Sequence, residues 1–279
     1  MFVSVVCPTY KRHRHIPFLI KQFNNQSYDK TLMELIIFDD SPSPYPFDEI
    51  NDDDRILYIH DNTKHFKIWE KRNILNEKAK GDIIVCMDDD DFQSNHRVQH
   101  SVDTLIRSNA LLCGYNGLFI YDSNNKNVYE IQHKRKNHVL NNCFAFKKQL
   151  LTKTKYKETK GNFGEEEHFT KNFTENVELL DKFKTILVVN HSTNTVSKSF
   201  LCKQNCQIQT SIISKHYDLS LINDMFTFVY WINLRKCRKR FVFMKQQLTN
   251  VLNMRIDAVE NPKLTHTRAG KEEVGCFLS

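Results

Sequence analysis

Gly81-Asp82-Ile83-Ile84-Val85-Cys86-Met87-Asp88-Asp89-Asp90-Asp91 is the stretch that decides the fold. Ile83 to Met87 is an unbroken apolar run, rich in β-branched residues. A run that short reads as a strand buried on both faces. It ends in four consecutive carboxylates, whose mutual repulsion nothing in a strand requires. A divalent cation makes such a cluster tolerable. Hard oxygen ligands at the end of a buried strand suit Mg²⁺ or Mn²⁺ shared with a phosphorylated substrate. A solvated acidic loop is the plainer reading of a bare charge run. Asn51-Asp52-Asp53-Asp54 is read as such a loop, because it follows no buried strand.

Upstream, Phe2 to Cys7 forms a first strand closed by Pro8-Thr9-Tyr10, and Pro17 opens a helix carrying Phe18, Leu19, Ile20 and Phe23. Leu35-Ile36-Ile37-Phe38 is a second buried strand that also ends in carboxylates, Asp39-Asp40, before a Ser41-Pro42-Ser43-Pro44 turn. A third strand is expected at 56–59, a helix at 69–80, and a helix at 96–109. The last is capped by Ser94 or Asn95 and carries Val98, Val102, Leu105 and Ile106 on one face. Strands alternating with helices over the first 110 residues predict a mostly parallel α/β sheet. Ligands bind outside the carboxyl ends of such strands, so both acidic clusters are expected in one crevice. Beyond 109 the pattern is less regular: strands at 111–121, 128–131 and 142–146, with a turn at 124–127. A helix follows at 165–174 with Phe169 and Phe173 on its buried face, then a last strand at 186–189 ending in Asn190-His191.

The 279 residues have the composition of a globular chain with a sizeable core. Eight cysteines without a CxxC pair read as reduced thiols, not a disulfide framework. No signal peptide and no apolar run long enough to span a bilayer is visible, so a cytoplasmic location is expected. The net charge of +7 is uneven: residues 200–279 carry +6 of it.

In order and spacing these motifs resemble an inverting family 2 glycosyltransferase of the GT-A fold, over roughly residues 2–200. Val5 to Arg12 looks like the family's first strand and nucleotide loop, and Leu35 to Ser41 like its strand ending in paired aspartates. Lys71-Arg72-Asn73 with Ala79-Lys80-Gly81-Asp82 resembles its "ARN…AKG" helix, and Met87 to Asp91 its DxD motif. Gly164-Glu165-Glu166 resembles its acceptor-side "ED" helix, with Glu replacing Asp. The resemblance implies a UDP-sugar donor, a glycan or glycoconjugate acceptor, and Mn²⁺ or Mg²⁺. It implies nucleotide-sugar contacts from Pro8, Thr9, Tyr10, Asp39, Arg72, Asp88 and Asp89. Metal binding would come from Asp90, with Asp88 and His191. The base would be Glu166, with neighbouring Glu165 in uncertain register. A carboxylate of ordinary pKa is already ionised at neutral pH and could serve. Residues 1–110 would form the nucleotide-binding half and 111–200 the acceptor half. A nucleotidyltransferase and a non-catalytic nucleotide-sugar-binding module are the rival readings.

The remaining 201–279 are expected to be a basic helical extension with a flexible tail, helical over 218–254. Its aromatic 226–232 run followed by the basic 235–240 run reads as a helix packed on the preceding domain, or alternatively as a membrane-surface helix. Cys276-Phe277-Leu278-Ser279 fits a C-a-a-X lipidation box, which would supply peripheral membrane association. No motif supports nucleic-acid binding.

Overall fold

The computed structural model describes residues 1–45, 50, 52–133, 137–159, 164–191, 194, 198, 201–202, 206–217, 219, 229–234 and 253–258. The chain divides into two compact units, Met1–Asp218 and Leu219–Ser279.

The first unit holds two sheets. The larger contains β1 (Val3–Thr9), β2 (Met33–Asp39), β3 (Ile56–His60), β4 (Ile83–Cys86), β6 (Leu112–Gly114), β9 (Ala145–Lys147) and β10 (Val177–Leu179). Their order is β10-β6-β9-β4-β1-β2-β3. β1 pairs in parallel with both β2 and β4, and β2 with β3, while β9 runs antiparallel to its neighbours β4 and β6. The three apolar runs became the three central strands, and every residue of β1, β2 and β4 is buried. Helices α1 (Ile16–Asn24), α2 (Ile68–Lys78) and α3 (Arg97–Arg107) provide the crossovers. Because the chain runs β1-β2-β3 to one side and returns to place β4 on the other, a switch point opens between the carboxyl ends of β1 and β4.

Gly81 makes that pairing close. A Cβ there would lie 2.4 Å from the Ser4 nitrogen and 2.7 Å from the Ile83 oxygen. The Gly81 N–H donates instead to Ser4 Oγ at 2.7 Å, and Ser4 donates to buried Glu34 at 2.6 Å. The core beside this sheet is aromatic: Phe144, Phe146, Tyr156 and Phe169 pack with Val6, Ile36, Ile84 and Leu75. Asn73 of α2 clips the 156 segment to the sheet, donating to the Tyr156 oxygen at 3.0 Å and accepting from its N–H at 3.1 Å.

The smaller sheet runs β12-β8-β7-β11-β5, from β5 (Phe92–Gln93), β7 (Gly117–Asp122), β8 (Asn127–Gln132), β11 (Ile186–Asn190) and β12 (Cys206–Ile208). The 124–127 turn joins β7 and β8, with Lys126 at φ +61°.

Three expectations are corrected. The helix expected at 165–174 is α4, Glu165–Phe169, followed by Lys171, Asn172 and Phe173 at φ between +53° and +59°. Phe169 stacks on Tyr156 at 4.3 Å and is fully buried, whereas Phe173 turns away to lie 4.3 Å from the His138 ring. On α3, Val98, Val102 and Leu105 are buried but Ile106 is 57% exposed, lying off the narrow buried stripe. In the second unit, Val229–Leu234, inside the expected 218–254 helix, and Asn253–Ala258, which begins at its end, are strands β13 and β14, paired in parallel. Val229 to Ile232 is β-branched and aromatic throughout, which favours a pleated strand over a helix. The basic 235–240 run and Cys276 lie outside the described residues. Among the described residues no helix is long and apolar enough to cross a membrane.

Candidate active site

Strand ends β1 and β4 bring the 8–12 loop and the acidic residues together. Thr9 Oγ1 donates to Asp89 Oδ2 at 2.5 Å. Arg12 NH1 donates to Asp89 Oδ1 at 2.9 Å and pairs with Asp90 Oδ2 at 2.7 Å. The four carboxylates have separate environments. Asp88 keeps its side chain 29% exposed toward the cleft. Asp89 is buried, and that burial with the neighbouring Asp90 charge pushes its carboxyl up to about 7. For Asp90 burial also disfavours the charge, but the His191 hydrogen bond and the Arg12 guanidinium outweigh it and hold the carboxyl well below the usual range. His191 Nε2 lies 3.4 Å from Asp90 Oδ2, and Asn194 Nδ2 donates to that oxygen at 3.2 Å. Asp91 turns inward, accepting from Asn142 Nδ2 at 2.7 Å and from the Val189 N–H at 3.3 Å. Burial pushes it up to about 7.

The second acidic pair, at the end of β2, is equally buried. Asp39 accepts from Tyr58 OH at 2.7 Å and the Ser41 N–H at 2.9 Å, and meets His13 Nε2 at 3.0 Å. Burial opposes its ionisation, but these bonds prevail and lower the carboxyl to about 2. Asp40 accepts from the Phe66 N–H and contacts His65 Nδ1, each at 2.7 Å, and is paired with Lys71. Lys71 Nζ also donates to the Thr9 oxygen at 3.1 Å and lies 5.3 Å from the Tyr10 ring centre. Tyr10 in turn stands 4.1 Å from the His65 ring.

Across the cleft, Arg72 Nε donates to Glu165 Oε1 at 3.1 Å, and its NH2 reaches Asp88 at 3.5 Å. With its amide oxygen turned to Arg72, Asn141 accepts from NH1 and NH2 at 2.8 Å and donates to Tyr156 OH at 2.5 Å. Glu166 is half-buried, and burial, together with the adjacent Glu165, raises its carboxyl above the ordinary value expected from sequence. The cleft has a volume of about 500 Å³. Of the expected residues, Pro8, Thr9, Tyr10, Arg72, Asp88, Asp89, Glu165 and Glu166 line it. Asp39, Asp90 and His191 stand behind that lining, each nearly inaccessible. Sequence reasoning did not select Arg12, His13, His65, Lys71, Asn141 or Asn194. Arg12 and Lys71 adjoin selected motifs, and that adjacency was the available signal.

Among the described residues no three His, Cys, Asp or Glu side chains converge as a complete metal cage. Asp90 and His191 do adjoin at 3.4 Å, with Asp88 and the open cleft nearby. That donor set fits an ion that takes one or two protein ligands and completes its shell with phosphate and water, as Mg²⁺ and Mn²⁺ do.

The sequence profile of glycosyl transferase family 2 matches residues 4–173, most of the larger unit. The chain belongs to glycosyl transferase family 2. A family relative, described as an uncharacterized glycosyltransferase of Haemophilus influenzae, is 28% identical over 126 residues. That match takes in 42% of this chain and 47% of the relative, so the chain spans about half the length of the relative it matches. Among solved structures, S. aureus TarS 1-349 superposes with a TM-score of 0.54 at 16% identity, covering 68% of this chain and 60% of that one. TarS 1-349 in complex with UDP-GlcNAc gives 0.54 at 15%, covering 81% and 66%. The mannosyltransferase PcManGT from Pyrobaculum calidifontis, in complex with GDP-Man and Mn²⁺, gives 0.52 at 14%, covering 71% and 59%. These likenesses show a shared GT-A fold.

Proposed function

We propose that this family 2 protein transfers a sugar from a UDP-sugar to an acceptor hydroxyl by a single displacement that inverts the anomeric carbon. One observation carries this reading: a single cleft is lined by Thr9, Tyr10, Asp88 and Asp89 together with Glu165 and Glu166. Donor and acceptor would meet between them, and holding two reactants in line removes several kcal/mol of barrier. Thr9 and Tyr10 line the cleft and would face the nucleoside. Asp39 would reach the base by exchanging its His13 or Tyr58 contact.

A divalent ion held by Asp90 and His191, with Asp88, would neutralise charge on the leaving diphosphate. Arg72 adds a fixed positive charge beside the same cleft, already oriented by Glu165. Glu166 takes the proton of the attacking hydroxyl. Its raised pKa makes the ionised form a stronger base than an ordinary glutamate. UDP- and GDP-linked donors occur in complexes of the structural neighbours, which supports a nucleotide-sugar ligand. The acceptor in this reading is a glycan or glycoconjugate.

Thermal unfolding with UDP, GDP, CMP and ATP, each with and without Mn²⁺, tests the donor. A ligand at a hundred times its Kd stabilises by about 2.7 kcal/mol. A Mn²⁺-dependent UDP shift that disappears in Asp90→Ala is expected, followed by UDP-sugar hydrolysis. A shift with ATP alone would instead favour nucleotidyl transfer.

A further inference from the structure

Arg12 places a cation against the acidic motif. Its NH1 lies 2.9 Å from Asp89 Oδ1 and 2.7 Å from Asp90 Oδ2. The Arg12 side chain is 20% exposed and lines the cleft, while both acceptors are nearly inaccessible. The loop that carries it is held in an uncommon conformation. Lys11 has φ +54°, and its N–H donates to Ser41 Oγ at 2.7 Å. Ser41 is itself fastened to Asp39, so the turn that aims Arg12 is braced from the end of β2. The oxygen Arg12 holds, Asp90 Oδ2, is also the one that His191 Nε2 and Asn194 Nδ2 approach. A divalent ion taking that oxygen must displace the guanidinium or stand beside a like charge within a few ångströms, where repulsion is strong in a buried site.

We propose that Arg12 is an internal counter-cation that makes divalent-ion binding at Asp90 conditional on a diphosphate in the cleft. Without the diphosphate, Arg12 and the ion compete for one carboxylate. With it, phosphate oxygens offer the guanidinium a second partner, matched to its planar fork, and Asp90 is released to the ion. Ion and diphosphate then each tighten the other's binding by the same factor. The diphosphate half rests on the nucleotide-sugar reading of the cleft; the competition half does not.

Calorimetric titration of Mn²⁺ into the full chain tests this, using wild type, Arg12→Gln and Arg12→Lys, first alone and then saturated with UDP. Folding of each variant is checked by its thermal unfolding. Coupling of this kind is commonly worth about 5- to 150-fold. Arg12→Gln is expected to bind Mn²⁺ alone about tenfold more tightly than wild type, with a smaller further gain from UDP. Arg12→Lys keeps the charge on a shorter side chain without the planar fork that suits a diphosphate, and should fall between; it carries the comparison if Arg12→Gln does not fold. Mn²⁺ affinity in the variants equal to or weaker than wild type overturns the proposal. Failure of wild type to bind UDP at any Mn²⁺ concentration would remove the nucleotide-sugar reading, and the Mn²⁺-only comparison would still decide the competition.

Discussion

Arg72 and Glu165 are 93 residues apart in the chain and 3.1 Å apart in the cleft. Each side chain is 7% exposed, so the pair is a buried one. It fixes α2, which also reaches Asp88, to the first residue of α4. Among the described residues, taking the charge from Glu165 leaves a buried guanidinium with the longer Asp88 contact and the Asn141 amide. Glu165→Gln should therefore cost about 3 kcal/mol of stability, the usual scale for breaking a buried pair. Denaturant titration measures it, and an unchanged midpoint would show that the pair is neutral.

Glu166 should separate from its neighbour in the opposite sense. Glu166→Gln is expected to leave the melting temperature nearly unchanged while lowering kcat by roughly 10²- to 10⁴-fold. Because burial and Glu165 raise its pKa, the acid limb of the rate profile should lie above the range of an ordinary glutamate, with activity falling as pH drops through it. A pH–rate series that stays flat down to about pH 4 would remove Glu166 as the base.

Asp39 makes the fold sensitive to acid. Its carboxyl is lowered to about 2 by hydrogen bonds that overcome burial, against roughly 3.9 in an unfolded chain. The depressed group contributes stability that is present above about pH 4 and lost as pH falls toward 2. The contribution is about 2 kcal/mol. Asp39→Asn should reduce stability at pH 7 by about that amount and narrow the gap to wild type at pH 3. Unfolding curves of both proteins at the two pH values are the check.

Gly81 tests the β1–β4 join. A methyl group at that position would meet backbone atoms on both sides, at 2.4 and 2.7 Å, and neither can rotate away. Gly81→Ala should cost about 2–3 kcal/mol, measurable as a lowered unfolding midpoint. A loss below about 0.5 kcal/mol would mean that the turn shifts freely.

The central strands were legible because Leu35 to Phe38 and Ile83 to Met87 are continuous apolar runs, and Val3 to Cys7 is interrupted only by Ser4, which is the pattern of a doubly covered parallel strand. Asp88 to Asp90 were legible through their position after such a run and through family resemblance, and Glu165-Glu166 through the resemblance alone. Asn194, which donates to Asp90 from 104 residues away, was not, because a single amide in a loop carries no period and no spacing. His65 escaped for the same reason, whereas Lys71 stood inside a recognised motif without a role, because both converge on Asp40 only after the sheet has formed. In the second unit, the apolar 226–232 run satisfies helical and pleated patterns alike, and β-branching at Val229 and Ile232 was the discriminating cue. Phe173 was misplaced because i, i+4 spacing assumes that a helix continues, and α4 stops at Phe169.

Between Cys86, which ends β4, and Phe92, which begins β5, the chain leaves one sheet and enters the other. The acidic run is thus a seam. Its last carboxylate is sewn to β11 through the Val189 N–H, and its first faces the cleft. Whatever grips Asp88 and Asp89 pulls on both sheets at once. Occupancy of the cleft should then register as stiffness in strands that never touch the ligand, slowing amide exchange in β5 and β11 together.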